Sequence, residues 1–189
     1  MQVDLGFDKV EKILHVADVH IRNYKRHKEY KQVFRKLYKA ARTLPKNSLI
    51  YVAGDIVHTK TDISPELVEL TSEFFRKLAD IRPTIVITGN HDANLNNSSR
   101  LDALSPIIDN LNHPNLHYLK DSGIYRVCNI DFIVMSVFDD PKDFPDARKA
   151  TGIKIGLHHG PVHNSVTDIG YVVNNGSLKQ SVFTGCDLV

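Results

Sequence analysis

A chain of 189 residues with 42% hydrophobic side chains can bury one sizeable core and is short for two full domains. A charged fraction of 24% and a formal net charge of +2 describe an ordinary soluble protein and do not suggest a disordered tail or a wholesale polyanion binder. Two cysteines, Cys128 and Cys186, make no disulfide framework and point to a reducing intracellular compartment; the start, Met1 to Lys12, has no signal-peptide core, and no apolar run is long enough to cross a bilayer.

In chain order, Ile13 to Ala17 reads as a first buried strand. Arg26 to Leu44 follows as an amphipathic helix. Tyr30, Val33, Phe34, Leu37, Tyr38, Ala41 and Leu44 recur at helical spacing there, and Pro45 marks its end. Leu49 to Ala53 is a second β-branched strand. A second helix is expected over Ser64 to Asp80, with Ser64 as N-cap, Pro65 at its first position and a stripe of Leu67, Leu70, Phe74, Phe75 and Leu78. Thr84 to Thr88 is the third strand. This alternation means βαβ units and a largely parallel sheet, buried on both faces.

The second half holds shorter strands at Leu116 to Leu119, Gly123 to Val127, Ile130 to Val137 and Ile153 to Leu157. Lys120 to Gly123 reads as a hairpin-like connection and Cys128-Asn129 as another tight one. The expected fold is one α/β domain over residues 1–189 with a mixed or two-sheet architecture.

The chemistry gathers at strand ends. The first strand ends in Asp18-Val19-His20, the second in Gly54-Asp55-Ile56-Val57-His58, the third in Gly89-Asn90-His91-Asp92, and the strand at Leu157 in His158-His159-Gly160. In open α/β sheets the site lies beyond the carboxyl ends of the strands. Oxygen and imidazole donors without cysteine suit divalent metals such as Mn or Fe and argue against a closed structural zinc site. Two cations could clamp a phosphate, lower the pKa of a bridging water and stabilise a leaving oxygen. Asp55, on the middle of the three strands, is the natural bridge between them. Gly54 and Gly89 let the backbone turn where a side chain would crowd the site.

Asp-x-His, Gly-Asp-x-x-His, Gly-Asn-His-Asp and His-His-Gly, in this order at strand ends, resemble the signature of the calcineurin-like metallophosphoesterases. That resemblance implies mixed β-sheets flanked by helices and two divalent ions, with Mn ahead of Fe, Mg or Zn. It gives Asp18, His20 and Asp55 to the first metal and Asp55, Asn90 and His158 to the second. His91 matches the family's catalytic histidine, which contacts the scissile phosphate, and Asp92 would orient it. His159 would sit behind the ligands, or take the ligand's place if the register shifts by one residue.

A histidine at 58, where protein serine/threonine phosphatases carry Asp-Arg-Gly, is similar to the SbcD/Mre-type DNA repair nucleases. So is Leu157-His158-His159-Gly160, beside that group's Leu-His-Gln-Gly. The histidine matching His58 assists the nuclease reaction in that group. The resemblance implies DNA as substrate, a homodimer and an ABC-type ATPase of the SbcC/Rad class as partner. A small-substrate phosphodiesterase of the same fold is the alternative, and a scaffold that has lost its metals a third reading, against which the four intact motifs argue.

The family's last motif, Gly-His-x-His, does not occur; the chain stops at Gly185-Cys186-Asp187-Leu188-Val189, which resembles the start of the strand leading into it. The expectation is a domain incomplete at its C-terminus, with weak metal binding and little activity. Arg22, Lys25 and Arg26, directly after the Asp18/His20 loop, are candidate DNA-phosphate contacts. The far cations of the following helix, and His163 and Asp168, read as surface; His15 reads as a hydrogen-bonded core or edge histidine.

Overall fold

The structure is a computed structural model that describes residues 1–97, 100–167, 169–174, 176 and 178–189. Asp168 lies outside the described residues. Two four-stranded sheets face each other. The first holds β2 (Lys12–Val16), β3 (Ser48–Val52), β4 (Thr84–Val86) and β5 (Leu116–Tyr118), all parallel. The second runs in the order β1 (Gln2–Val3), β6 (Gly123–Val127), β7 (Ile130–Val134), β8 (Ile153–Leu157); only β6 and β7 pair antiparallel.

Strand alternation sorts the core into layers. Leu49, Tyr51, Ile85 and Ile87 face the second sheet and meet Tyr125, Val127, Phe132, Val134, Ile155 and Leu157. Ile50, Val52 and Val86 face the opposite way, onto the helices α1 (His27–Arg42), α2 (Pro65–Ile81) and α3 (Ser105–Leu111). α2 begins as its sequence demands: Ser64 Oγ accepts from Leu67 N at 3.2 Å and Pro65 takes the first helical position. A third cluster of Ile133, Met135 and Ala147 covers the outer face of the second sheet, with Phe144, Val182, Phe183 and Cys186 packed on it.

Three details differ from the sequence expectation. β2 is an edge strand with Lys12 and His15 exposed, because only β3 pairs with it. His15 lies against the Tyr51 ring at 5.1 Å between centroids. Residues 120–123 form no hairpin: β5 pairs with β4 and β6 with β7, so this stretch carries the chain from one sheet to the other. α3, with only two turns, shows too little periodicity to read in advance. The tail lies beside β8 in parallel, with Gly156 N donating to Leu188 O at 2.8 Å. Among the described residues no helix is long and apolar enough to cross a membrane.

Candidate metal centre

The loops after β2, β3, β4 and β8 meet at one edge of the two sheets, held together chiefly by backbone bonds. His20 N donates to Asp55 O at 2.9 Å, Ile21 N to Ile56 O at 2.8 Å and His58 N to Ile21 O at 3.0 Å. These lock the first loop onto the second. Tyr30 OH, from the first turn of α1, donates to His20 O at 2.6 Å. Three site residues hold left-handed backbone: Asp18 at φ 53°, His20 at φ 48° and Asp55 at φ 52°. Left-handed backbone is costly for side chains other than glycine, and it gathers here at the candidate chemistry.

The two glycines are required by contact. A β-carbon at 89 would collide with Asp55 Oδ1, and one at 54 would stand 2.6 Å from Gly89 N. With neither present, Asp55 reaches the third loop. Its Oδ1 accepts from His91 N at 2.9 Å, and its Oδ2 has His159 Nε2 at 3.1 Å, His20 Nε2 at 3.5 Å and His91 Nε2 at 3.9 Å. Asp55 is buried; burial raises its carboxyl pKa, but the His159 and His91 contacts more than offset this and the net direction is down.

Two groups of donor atoms result, each with all its atoms within 4.8 Å of one another: Asp18, Asp55 and His159, and His20, His58 and His91. The His20 and His91 rings meet edge to face at 4.9 Å. His20 Nδ1 and His58 Nδ1 are buried with no hydrogen-bond partner among the described residues. Slight burial and the nearby Arg22 cation lower the His58 pKa, with His20 and His91 adding to the effect. Carboxylate, imidazole and no thiolate form a donor set that fits divalent metal ions.

The His91 ring is held by Nδ1–H donating to the His58 carbonyl oxygen at 2.9 Å, which leaves Nε2 for the site. Asp92, expected to orient that ring, acts through the backbone instead. Its Oδ1 accepts from Ile56 N at 2.9 Å and Val57 N at 3.0 Å, and its Oδ2 from Gly89 N at 3.0 Å. This buried carboxylate pins the second loop to the third. Burial pushes the carboxyl up to about 7, with the Asp55 charge adding to the rise and the three amides opposing it.

The adjacent histidines separate by strand alternation. Ile155 and Leu157 face the first sheet, so His159 turns the same way; its Nδ1 donates to Ala53 O at 2.5 Å and its Nε2 meets Asp55. His158 faces outward, donating from Nδ1 to Met135 O at 2.8 Å, with its ring near Phe144. The structure thus places against Asp55 the residue expected behind the ligands and turns the expected ligand elsewhere. Burial lowers the His159 pKa, yet the Asp55 carboxylate reverses that to a net rise; burial lowers that of His158.

Asn90 is half-buried in the third loop, its carbonyl 3.4 Å from Lys60 Nζ. Arg22, Lys25 and Arg26 are exposed just beyond His20. His113 meets Asp80 at 3.2 Å, away from the site. Lys60 and Tyr30 were not foreseen at the site. The only sequence signal was their position, two residues past His58 and at the head of the helix after Asp18-x-His20.

A family model, Calcineurin-like phosphoesterase, matches residues 11–185. A protein of Acanthamoeba polyphaga mimivirus, called Uncharacterized protein R555, is 47% identical over 191 residues, covering 94% of this chain. The chain spans 14% of that relative's length. A metal-dependent hydrolysis of phosphoesters is what this family suggests, and the two donor groups at the strand ends suit it. With nearly all of its length matched and all four donor motifs gathered at one edge, the chain belongs to the calcineurin-like phosphoesterase family.

Proposed function

We propose that this chain is the hydrolytic core of a two-metal DNA nuclease similar to the SbcD/Mre type. The observation that carries the reading is the grouping of His58 with His20 and His91, beside Asp18, Asp55 and His159. Asp18, His20, Asp55, Asn90 and His159 hold the ions in this reading, with His158 supporting the loop through Met135 O. Mn suits the mixed oxygen and imidazole donors. When bound, the ions would supply Lewis-acid stabilisation of phosphoryl oxygens and an activated water.

The chain's own residues supply the rest. Asp55 gathers the imidazoles and fixes the third loop through His91 N. The His58 carbonyl fixes the His91 ring, so that a protonated His91 presents Nε2–H to the leaving oxygen of the phosphodiester. On the same resemblance, His58 of this cluster assists the nuclease reaction rather than holding an ion. Asp92 keeps the second and third loops in register. Arg22, Lys25 and Arg26 take DNA phosphates beside the site. Homodimerisation and an ABC-type ATPase partner of the SbcC/Rad class accompany this reading, on the resemblance alone.

The test compares linear duplex DNA with cyclic AMP in the presence of Mn²⁺. With no Gly-His-x-His in the chain the protein should shorten or nick the duplex only slowly, and His91→Ala should remove this residual cleavage while Mn²⁺ binding persists. Hydrolysis of cyclic AMP with intact duplex would replace this reading by a small-substrate phosphodiesterase.

A further inference from the structure

The near-neutral net charge hides a strong asymmetry. Residues 22–42 hold nine of the chain's 24 Lys and Arg side chains and one of its 22 acids. Five of the six Lys and Arg side chains within α1 share one side of its polar surface, with Lys36 set apart on the Glu29 flank. Lys28, Lys31, Arg35, Lys39 and Arg42 follow one another at intervals of three, four, four and three residues, which puts them within an arc of about 80°. All five are exposed. Phe34, Tyr38 and Ala41 occupy the buried side, and Glu29 lies on the other flank of the stripe. Among the described residues none of the five enters a salt bridge, although Glu73 of α2, paired with Lys77, also feels the Lys31 charge.

An ordinary solvated helix interleaves acids with bases, because like charges three or four residues apart weaken it. Here four successive like-charged neighbours are retained, and Lys28 opposes the helix dipole at the N-terminal turn. Placement gives the stripe a direction. β2 and β3 are parallel, so α1 must run back from the metal-site end of the sheet to the opposite end. Its first turn is tied to the site by Tyr30 OH on His20 O. The stripe therefore starts beside Arg22 and Arg26 and leads away along the flank for about 20 Å, a span over which duplex DNA presents about twelve phosphate charges.

We propose that the cationic stripe of α1 is a track for the sugar-phosphate backbone of a duplex, holding the part of the nucleic acid beyond the reacting phosphate. This rests on the reading of the substrate as DNA. A polyanion is the matching partner because the cations repeat along a line rather than forming a pocket, and because the line begins at a site for phosphoesters. The contacts are to phosphate, so they carry position without sequence.

The experiment measures equilibrium binding of the protein to a duplex of about 30 base pairs, with chelator present so that hydrolysis does not enter, across a range of salt concentrations. Two quadruple variants are compared. One removes Lys28, Arg35, Lys39 and Arg42 by substitution to Gln; the other removes Lys9, Lys142, Lys149 and Lys179, equally exposed and off α1. Both lower the net charge by the same amount, and thermal melting checks that each folds. The α1 variant should flatten the slope of log affinity against log salt by about three, and weaken binding on the order of 10-fold or more at low salt. The second variant should stay within about one slope unit of the parent. Equal effects of the two would assign the binding to net charge and overturn the proposal, as would an unchanged slope in the α1 variant. So would an α1 variant that loses anionic phosphatidylserine vesicles while keeping duplex DNA. Mn-dependent hydrolysis is scored separately; cleavage of cyclic AMP with duplex left intact, alongside a stripe-dependent slope, would refute the nuclease reading and leave the track standing.

Discussion

Asp55 Oδ2 has the Nε2 atoms of His159, His20 and His91 at 3.1, 3.5 and 3.9 Å. Among the described residues no cation other than these imidazoles stands against it, and the paired donor groups around it define where positive charge belongs. The side-by-side histidines give a direct residue-scale prediction. His159→Ala should weaken Mn²⁺ binding by more than 10-fold and by clearly more than His158→Ala, read by titration calorimetry. The reverse ranking would return the ligand role to His158. Asp92 should act in another currency, stability. Asp92→Ala leaves three buried amides, of Ile56, Val57 and Gly89, without an acceptor and should cost about 3 kcal/mol in urea unfolding, with Asp92→Asn costing less. Most of the residues that gather at this edge were legible because each follows a hydrophobic strand in a motif of fixed spacing. Which of His158 and His159 meets Asp55 was not, since two adjacent histidines look alike until strand alternation assigns their faces. Asp92 was recognised as important but for the wrong contact: a carboxylate next to a histidine suggests a ring partner, whereas the left-handed turn at Asp55 turns the amides of Ile56 and Val57 toward it.

Among the elements, α3 shows what a short helix needs from its surroundings. Asp102 Oδ1 accepts from Leu104 N at 2.8 Å and Ser105 N at 2.6 Å, and its Oδ2 meets Ser105 Oγ at 2.5 Å and Lys120 Nζ at 2.8 Å. Tyr118 OH links this carboxylate, at 3.1 Å, to Thr88 Oγ1, at 2.5 Å, just before Gly89. The third loop therefore rests on a buried polar network as well as on β4. Burial raises the Asp102 pKa, but the Lys120 and Ser105 bonds outweigh it and the net direction is down. A folded-state pKa below the unfolded value near about 4 adds stability above that pH, and the contribution is lost as pH falls through the folded value. The urea midpoint should therefore drop further between neutral pH and acid in the parent than in Asp102→Asn; parallel drops would show that Asp102 does not titrate as described. None of this network was visible in advance. Asp102, Tyr118 and Lys120 are separated in the chain and carry no motif, and only the pairing of β4 with β5 brings them together.

At the scale of the whole molecule, two sheets are stacked so that loops from both reach one edge: three from the parallel sheet and one from β8 of the mixed sheet. The stacking depends on large side chains shared between them, with Tyr51 and Phe132 rings at 6.3 Å. Phe132 is fully buried, and Phe132→Ala should cost about 3–5 kcal/mol in thermal or urea unfolding. It should also weaken metal binding, because His159 reaches Asp55 only while β8 stays packed. The parallel half was readable from its β-branched runs and amphipathic helices. Assignment of the later strands to a second sheet was only half readable, since periodicity tells a strand from a helix but not which strand lies beside it. The most direct test of convergence on a common cation site is the shift in melting temperature on adding Mn²⁺. A ligand that binds only the folded state stabilises by about 2.7 kcal/mol at a hundred times its dissociation constant. The parent and a His15→Ala control should both be stabilised by Mn²⁺, whereas Asp55→Asn and His159→Ala, each shown folded by its own melting transition, should lose most of the shift. An undiminished shift in Asp55→Asn would contradict the account.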